Sequence, residues 1–237
     1  MLEAREYYEE QGFKYVDVPW AVSRKAILLT RPPHITAEPM SMTSGGMDFY
    51  PVASAEQSFL QMQMDALAAA PSACQCSFAF PMSAEAMAKH IEAVHSRRIT
   101  GSYCAITPCF RNEPKLDDQH QPYFLKCELI SWVPTDGKLI EQVIQMHHMI
   151  GAARQFFEDE GLEVECVPNP EGMHDPIGVN GQAFDVVSFR TNVEVGSYGI
   201  REHASVGRWI YGTGIAEPRF SYALIVEEAA KESAGNA

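Results

Sequence analysis

Arg111 and Glu113 stand two residues apart at the end of the apolar run Pro108-Cys109-Phe110, and Phe124 and Glu128 follow on a second apolar run. The pattern reads as a strand, a polar loop and a returning strand. Residues i and i+2 of a strand face the same way, so the guanidinium and the carboxylate are expected on one face. Phe124 returns beside them on the partner strand. A guanidinium fork grips a phosphate, an aromatic ring stacks on a base, and a carboxylate reads an amine. These types at this spacing predict a nucleotide site, with Lys115, Asp117, Asp118 and His120 in the loop above it.

The elements that position this hairpin are legible in part. Residues 2–11 read as an amphipathic helix marked by Leu2, Tyr7 and Tyr8 and closed by Gly12. Residues 13–18 alternate like a strand that stops at Pro19. A short strand is predicted over Ala26 to Thr30, before Pro32-Pro33. A helix is predicted from Ala55 to Ala70, a strand over 76–80, and a helix over about 84–95 capped by Ser83. The hairpin spans about 102–133. The longest helix runs from Leu139 to Gly161, with an apolar stripe of Leu139, Val143, Met146, Met149, Ile150, Ala153, Phe156 and Phe157. Strands are predicted near 163–167, 183–189 and 191–198. The segment Tyr211-Gly212-Thr213-Gly214-Ile215 reads as a glycine-rich lead into a last helix over about 217–232. Locally connected strands with interspersed helices predict an α+β fold, an antiparallel sheet flanked by helices, in one domain over 1–237.

Composition narrows the classes. The chain has 237 residues, 46% hydrophobic and 21% charged, which suits one globular domain with a sizeable core. No apolar run approaches the roughly 20 residues of a membrane helix. The charged start, Met1 to Glu6, is unlike a signal peptide, so a cytoplasmic location and no membrane partner are expected. Cysteines 74, 76, 104, 109, 127 and 166 have no zinc-finger spacing and read as reduced, small buried hydrophobes. The net charge of −13, with Arg97-Arg98 as the densest basic spot, argues against extended binding to polynucleotides such as tRNA.

Several stations in order resemble the catalytic core of class II aminoacyl-tRNA synthetases. Gly12-Phe13 through Val18-Pro19 is similar to the first motif, Phe110-Arg111-Asn112-Glu113 with Phe124 to the second, and Gly212-Thr213-Gly214 through Arg219 to the third. Ser54-Ala55-Glu56-Gln57 resembles the loop that holds the amino-acid ammonium. Glu194-Val195-Gly196-Ser197 through Arg201-Glu202 resembles the strand bearing a metal-binding glutamate and a substrate-reading arginine. The third motif departs from the pattern: Ala216 stands where a glycine is usual, and Pro218 separates Glu217 from Arg219. Taken singly, each residue also has an ordinary reading, Arg111 as an edge ion pair, Phe124 as core, Glu194 as a solvated carboxylate and Gly212-Thr213-Gly214 as a turn.

The resemblance implies a role for each residue. Arg111 would bind the α-phosphate of ATP and the substrate carboxylate, Glu113 would read adenine, Phe124 would stack on it, and His120 would approach the outer phosphates. Arg219 would hold the γ-phosphate, making Arg111 and Arg219 the catalytic pair. Asp185 and Glu194 would coordinate Mg²⁺. Glu56 would take the α-ammonium, with Glu128 beside it in the substrate pocket. Arg201, seven residues after Glu194, is similar in offset to the aspartyl and asparaginyl enzymes and the ammonia-dependent asparagine synthetases, which implies an aspartate-like substrate. The first motif implies a homodimer.

The activity implied is ATP-dependent formation of an aminoacyl-adenylate, with magnesium. With no anticodon-binding domain in the chain and its acidic charge, the expected acyl acceptor is not tRNA but ammonia, an amine or a carrier-protein thiol. The alternatives are a minimal synthetase that charges tRNA, and a non-catalytic paralogue that binds amino acid or nucleotide.

Overall fold

The computed structural model describes residues 1–31, 38–68, 97–113 and 115–235. The Pro32-Pro33 break, Cys74, Cys76, the strand expected over 76–80 and the helix expected over 84–95 lie outside these residues.

Helix α1, Leu2–Glu10, buries Ala4 and Tyr8, and Gly12 at φ +89° turns the chain into the two-residue strand β1, Lys14–Tyr15. Strand β2, Ala21–Val22, leads into α2, Arg24–Leu29. The strand expected over Ala26 to Thr30 is therefore a helix. Ser23 decides this locally, because its Oγ accepts from Ala26 N at 3.3 Å and caps the first turn. Strands β3, Met42–Ser44, and β4, Met47–Pro51, form a small sheet with β2 in the order β2-β4-β3. Helix α3 runs over Ala55–Ala68.

The remaining elements build the large sheet. They are β5, Gly101–Phe110; β6, Tyr123–Val133; α4, Leu139–Asp159; β7, Val164–Pro168; and the single turn α5, Pro170–Met173. Then follow β8, Gly178–Ser188; β9, Glu194–His203; β10, Gly207–Glu217; and α6, Arg219–Gly235. The order is β1-β5-β6-β10-β9-β8-β7. Among the described residues only the β1–β5 pair is parallel, so the sheet is mixed at one edge and antiparallel elsewhere.

Each face of the sheet has its own cluster. One face packs on α1, α4 and α6 through Tyr8, Met146, Met149, Phe156, Phe157 and Phe220, with Leu129, Tyr198, Ile200 and Ile210 from the strands. The other face packs on α3, where Ala55, Phe59 and Leu60 meet Ala105, Ile130, Trp132 and Trp209. Among the described residues α3 covers part of this face, and two pockets open on the rest.

The glycine-rich segment at 211–215 is not a lead-in turn but the middle of β10, a central strand. Its glycines make room for rings from the helical side. A Cβ on Gly212 would lie 2.6 Å from Met149 Sδ and from Tyr198 Cδ1, and one on Gly214 would lie 2.6 Å from Tyr8 Cε2. Tyr8 then donates its hydroxyl to Gly214 O at 2.9 Å.

Candidate functional site

Strand alternation sets the floor of the site. Phe124, Lys126 and Glu128 lie at alternate positions of β6, paired with Cys109, Thr107 and Ala105 of β5. Two bulges adjust the neighbouring strands. On β10, Thr213 pairs with Glu128 and Ile215 with Cys127, so Gly214 is the extra residue. Thr213 therefore joins the site face while Ile215 enters the core. On β9, Gly196 pairs with Val186 and Glu194 with Val187, so Val195 is extra. This bulge explains the odd offset. Seven residues apart on a regular strand, Glu194 and Arg201 would face opposite ways. With Val195 bulged, Glu194 shares a face with Ser197, Gly199 and Arg201.

Two adjoining pockets open on this face. Arg111, Glu113, His120, Phe124, Glu194 and Arg219 line the first. Glu56, Glu128 and Arg201 line the second, with Tyr211 as part of its wall. Arg111, Glu113, Lys126 and Ser197 belong to both.

In the first pocket the Arg111 guanidinium carbon lies 5.0 Å from the Phe124 ring centroid. Its Nε donates to Ala53 O at 3.3 Å, which holds the side chain toward the turn before α3. The expectation that Arg111 and Glu113 both sit on the outgoing strand needs correction, because β5 ends at Phe110. Arg111 N still donates to Pro122 O at 3.0 Å, but Pro122 has no N–H to return, so the ladder stops there. Glu113 reaches the pocket from the loop. His120 Nδ1 lies 2.7 Å from Asp117 Oδ1, and the same oxygen accepts from the backbone N–H groups of Gln119 and His120. The His120 side-chain bond is the main cause, with these backbone bonds, of the Asp117 carboxyl being held down to about 2.

Across the pocket, Arg219 opens α6 and places Nη1 3.0 Å from Glu194 Oε1. The interposed Pro218 does not prevent this approach. Asp185 faces the same way as Glu194 and Ser197, and Asn169 Nδ2 donates to its Oδ1 at 2.8 Å. Burial, and next the charge of Glu194, raise the Asp185 carboxyl above its ordinary range. Two carboxylates that disfavour each other's charge on one face are a setting that a divalent cation relieves. No cluster of three or more potential ligands from His, Cys, Asp and Glu occurs among the described residues.

In the second pocket the carboxylates are already engaged. Glu128 Oε1 accepts from Ser54 Oγ at 2.6 Å and from Lys126 Nζ at 2.7 Å, and Oε2 accepts from Ala55 N. It therefore clamps the first turn of α3 onto β6. Glu56, the second residue of that helix, accepts from Trp209 Nε1 at 2.6 Å and from Arg201 Nη1 at 2.6 Å. Arg201 also donates Nε to Asp175 Oδ2 at 2.7 Å, and its guanidinium carbon lies 4.2 Å from the Tyr211 ring centroid. The expected meeting of Arg201 with an acidic substrate side chain thus finds no support: the guanidinium already faces two carboxylates.

Sequence reasoning passed over Lys126, Ser197, Asp175, Trp209 and Tyr211. Lys126 had a signal, since it lies between Phe124 and Glu128 at strand spacing. Asp175 had none, because the turn that carries it to Arg201 follows the short helix α5.

No family model matches the sequence, and no curated protein matches it. Among solved structures, the chain is similar to the cytoplasmic serine-tRNA ligase from Naegleria fowleri in complex with AMP, with a TM-score of 0.63 and 15% identity. That match covers 92% of this chain and 45% of the other. It is also similar to seryl-tRNA synthetase from Pyrococcus horikoshii complexed with ATP, with a TM-score of 0.61 and 16% identity, over 94% of this chain and 48% of the other. The likeness shows the fold, that of a class II aminoacyl-tRNA synthetase catalytic core. The chain spans less than half the length of either neighbour. These neighbours lend no support to the aspartyl and asparaginyl branch. No helix among the described residues is long and apolar enough to cross a membrane.

Proposed function

We propose that this protein activates an amino acid with ATP, forming an aminoacyl-adenylate and pyrophosphate. The observation that carries the reading is one pocket with Arg111 over Phe124 on one side and Arg219 against Glu194 on the other, continuous with a second pocket through Lys126 and Ser197. Both of these structural neighbours were solved with an adenine nucleotide, which supports a nucleotide in the first pocket.

In this reading adenine stacks on Phe124, Glu113 reads its amine, and Arg111 holds the α-phosphate against the incoming carboxylate. His120, fixed by Asp117, and Arg219 meet the outer phosphates. The substrate carboxylate is already ionised at neutral pH and attacks the α-phosphorus, so no general base is required. The rate then comes from positioning and from cations aimed at the charge that develops. Lys126 adds a third cation at the junction of the pockets, held 2.7 Å from Glu128. Asp185 and Glu194 suit Mg²⁺, which takes hard oxygen ligands from one or two carboxylates and completes its shell with phosphate and water. Such an ion would supply charge neutralisation on the outer phosphates.

For the second half-reaction, we propose an acceptor other than tRNA, such as ammonia, an amine or a carrier-protein thiol. The net charge of −13 supports this, since a polynucleotide footprint needs a basic face. The second reading, a minimal synthetase acting on tRNA, is favoured by the names of both neighbours, which are tRNA ligases. Exchange of labelled pyrophosphate into ATP, assayed with each amino acid in turn, tests the first half-reaction; no exchange with any of them sinks it. Adding total tRNA, then ammonia, and following loss of the adenylate separates the two acceptors.

A further inference from the structure

The second pocket has a charge balance that activation alone does not require. Arg201 is largely buried, with 14% of its side chain exposed, and gives Nε to Asp175 and Nη1 to Glu56. Burial opposes its charge, but the carboxylates of Glu56 and Asp175 outweigh that effect and raise its pKa above the ordinary value. One cation against two carboxylates leaves one negative charge. Two further polar residues of its lining, Lys126 and Gln57, are engaged as well. Lys126 faces Glu128, while Gln57 accepts from Ala53 N at 2.8 Å and donates to Thr30 Oγ1 at 3.2 Å. Tyr211 adds an uncharged hydroxyl that makes no hydrogen bond among the described residues. It lies against Gly199, whose absent Cβ would sit 2.6 Å from that oxygen.

We propose that this pocket takes an α-amino acid with an uncharged side chain, and that Arg201 is a positioning residue that fixes Glu56 rather than a receptor for a substrate carboxylate. The inference rests on the reading that the second pocket holds the amino acid. An α-ammonium brings one positive charge and matches the one left unbalanced by Glu56, Asp175 and Arg201. An acidic side chain would add a negative charge to a cluster that is negative already. A basic one would add a cation after the single excess charge is met. Asp175 becomes the specificity determinant, because it occupies the Nε edge of the guanidinium that a substrate carboxylate would otherwise take.

The test is calorimetric titration of the full chain, saturated with a non-hydrolysable ATP analogue, with neutral, acidic and basic amino acids. The best neutral amino acid is expected to bind at least about tenfold more tightly than aspartate, glutamate, lysine or arginine, the size of effect that one uncompensated charge readily produces. In Asp175→Ala, the preference over acidic amino acids is expected to shrink by about tenfold or more as Nε is freed. A purely structural role for Asp175 would weaken all amino acids alike and leave the ratio unchanged. Charged amino acids that bind as well as neutral ones overturn the proposal, as does an unchanged ratio in an Asp175→Ala protein that still binds the analogue. Binding of the analogue without any amino acid also overturns it, while leaving the nucleotide reading in place. Failure of the analogue to bind, with neutral amino acids still ranked first, overturns the activation reading and supports this one.

Discussion

Arg219 Nη1 lies 3.0 Å from Glu194 Oε1, although the two residues reach this point by different devices. Glu194 faces the site because Val195 bulges out of register on β9, and Arg219 faces it as the first residue of α6. An arginine held by a carboxylate is pre-oriented. The pair is therefore expected to act as a unit rather than as two independent ligands.

Replacing that guanidinium gives the first prediction. Arg219→Ala should lower amino-acid-dependent pyrophosphate exchange by about 10²–10³-fold, the usual loss for one transition-state charge contact. Its melting temperature should stay close to wild type, since a partly exposed ion pair contributes little to stability. Arg219→Lys should restore only part of the rate, because an ammonium lacks the fork geometry. A lysine variant with full activity would show that the contact needs charge alone.

Arg111 and Phe124 make a second, separable pair. Phe124→Leu keeps an apolar floor and removes the ring, so nucleotide affinity should fall by roughly 0.5–1.5 kcal/mol with kcat largely kept. Arg111→Ala should reduce kcat far more than nucleotide affinity. Steady-state exchange kinetics at varied ATP distinguish the two; equal effects on KM and kcat in both variants would contradict these roles.

The carboxyl of Asp185 yields a pH prediction. Burial and Glu194 raise its pKa in the folded state above the ordinary 3.8. A raised carboxyl binds its proton more tightly when folded, so its stabilising contribution is complete below the unfolded value and is lost as pH rises through the folded one. At neutral pH the ionised group is a net cost to the metal-free protein. Asp185→Asn should therefore melt higher than wild type at pH 7, with the gap closing as pH falls toward 3.8, while its magnesium-dependent activity drops. Thermal melts across pH check the sign; a variant that melts lower at pH 7 would refute it.

The central strand offers a packing prediction. Gly212→Ala puts a Cβ 2.6 Å from Met149 Sδ and Tyr198 Cδ1, neither of which lies at a free surface. Overpacking of this kind costs about 1–3 kcal/mol. Each kcal/mol lowers the melting temperature of a domain this size by roughly 2–4 °C. A calorimetric melt equal to wild type would mean that the helix α4 side relaxes freely.

These same features explain what could be read in advance. The β5–β6 hairpin and α4 were legible because their apolar periods run unbroken. Strand β10 was not, since Gly212 and Gly214 look like turn residues until Tyr198 and Tyr8 are seen to fill the space above them. Helix α2 was hidden by the apolar run Ile27-Leu28-Leu29, which suits a short strand equally well without the Ser23 cap. In the site, Arg111 and Phe124 stood out by hairpin spacing. The co-facial placement of Glu194 and Arg201 did not, because it depends on one bulged residue, Val195. The partners of Arg201 were invisible for a similar reason: Asp175 and Glu56 lie 26 and 145 residues away along the chain.

The proposed reaction turns on attack of a carboxylate on the α-phosphorus of ATP in this site. The most direct measurement is mass spectrometry of the protein-bound products after a single turnover with ATP, Mg²⁺, pyrophosphatase and a mixture of amino acids. An aminoacyl-AMP is expected bound to the wild-type protein and absent from Arg111→Ala. Release of ADP and phosphate in place of the adenylate, or intact ATP after prolonged incubation with every amino acid, would contradict it.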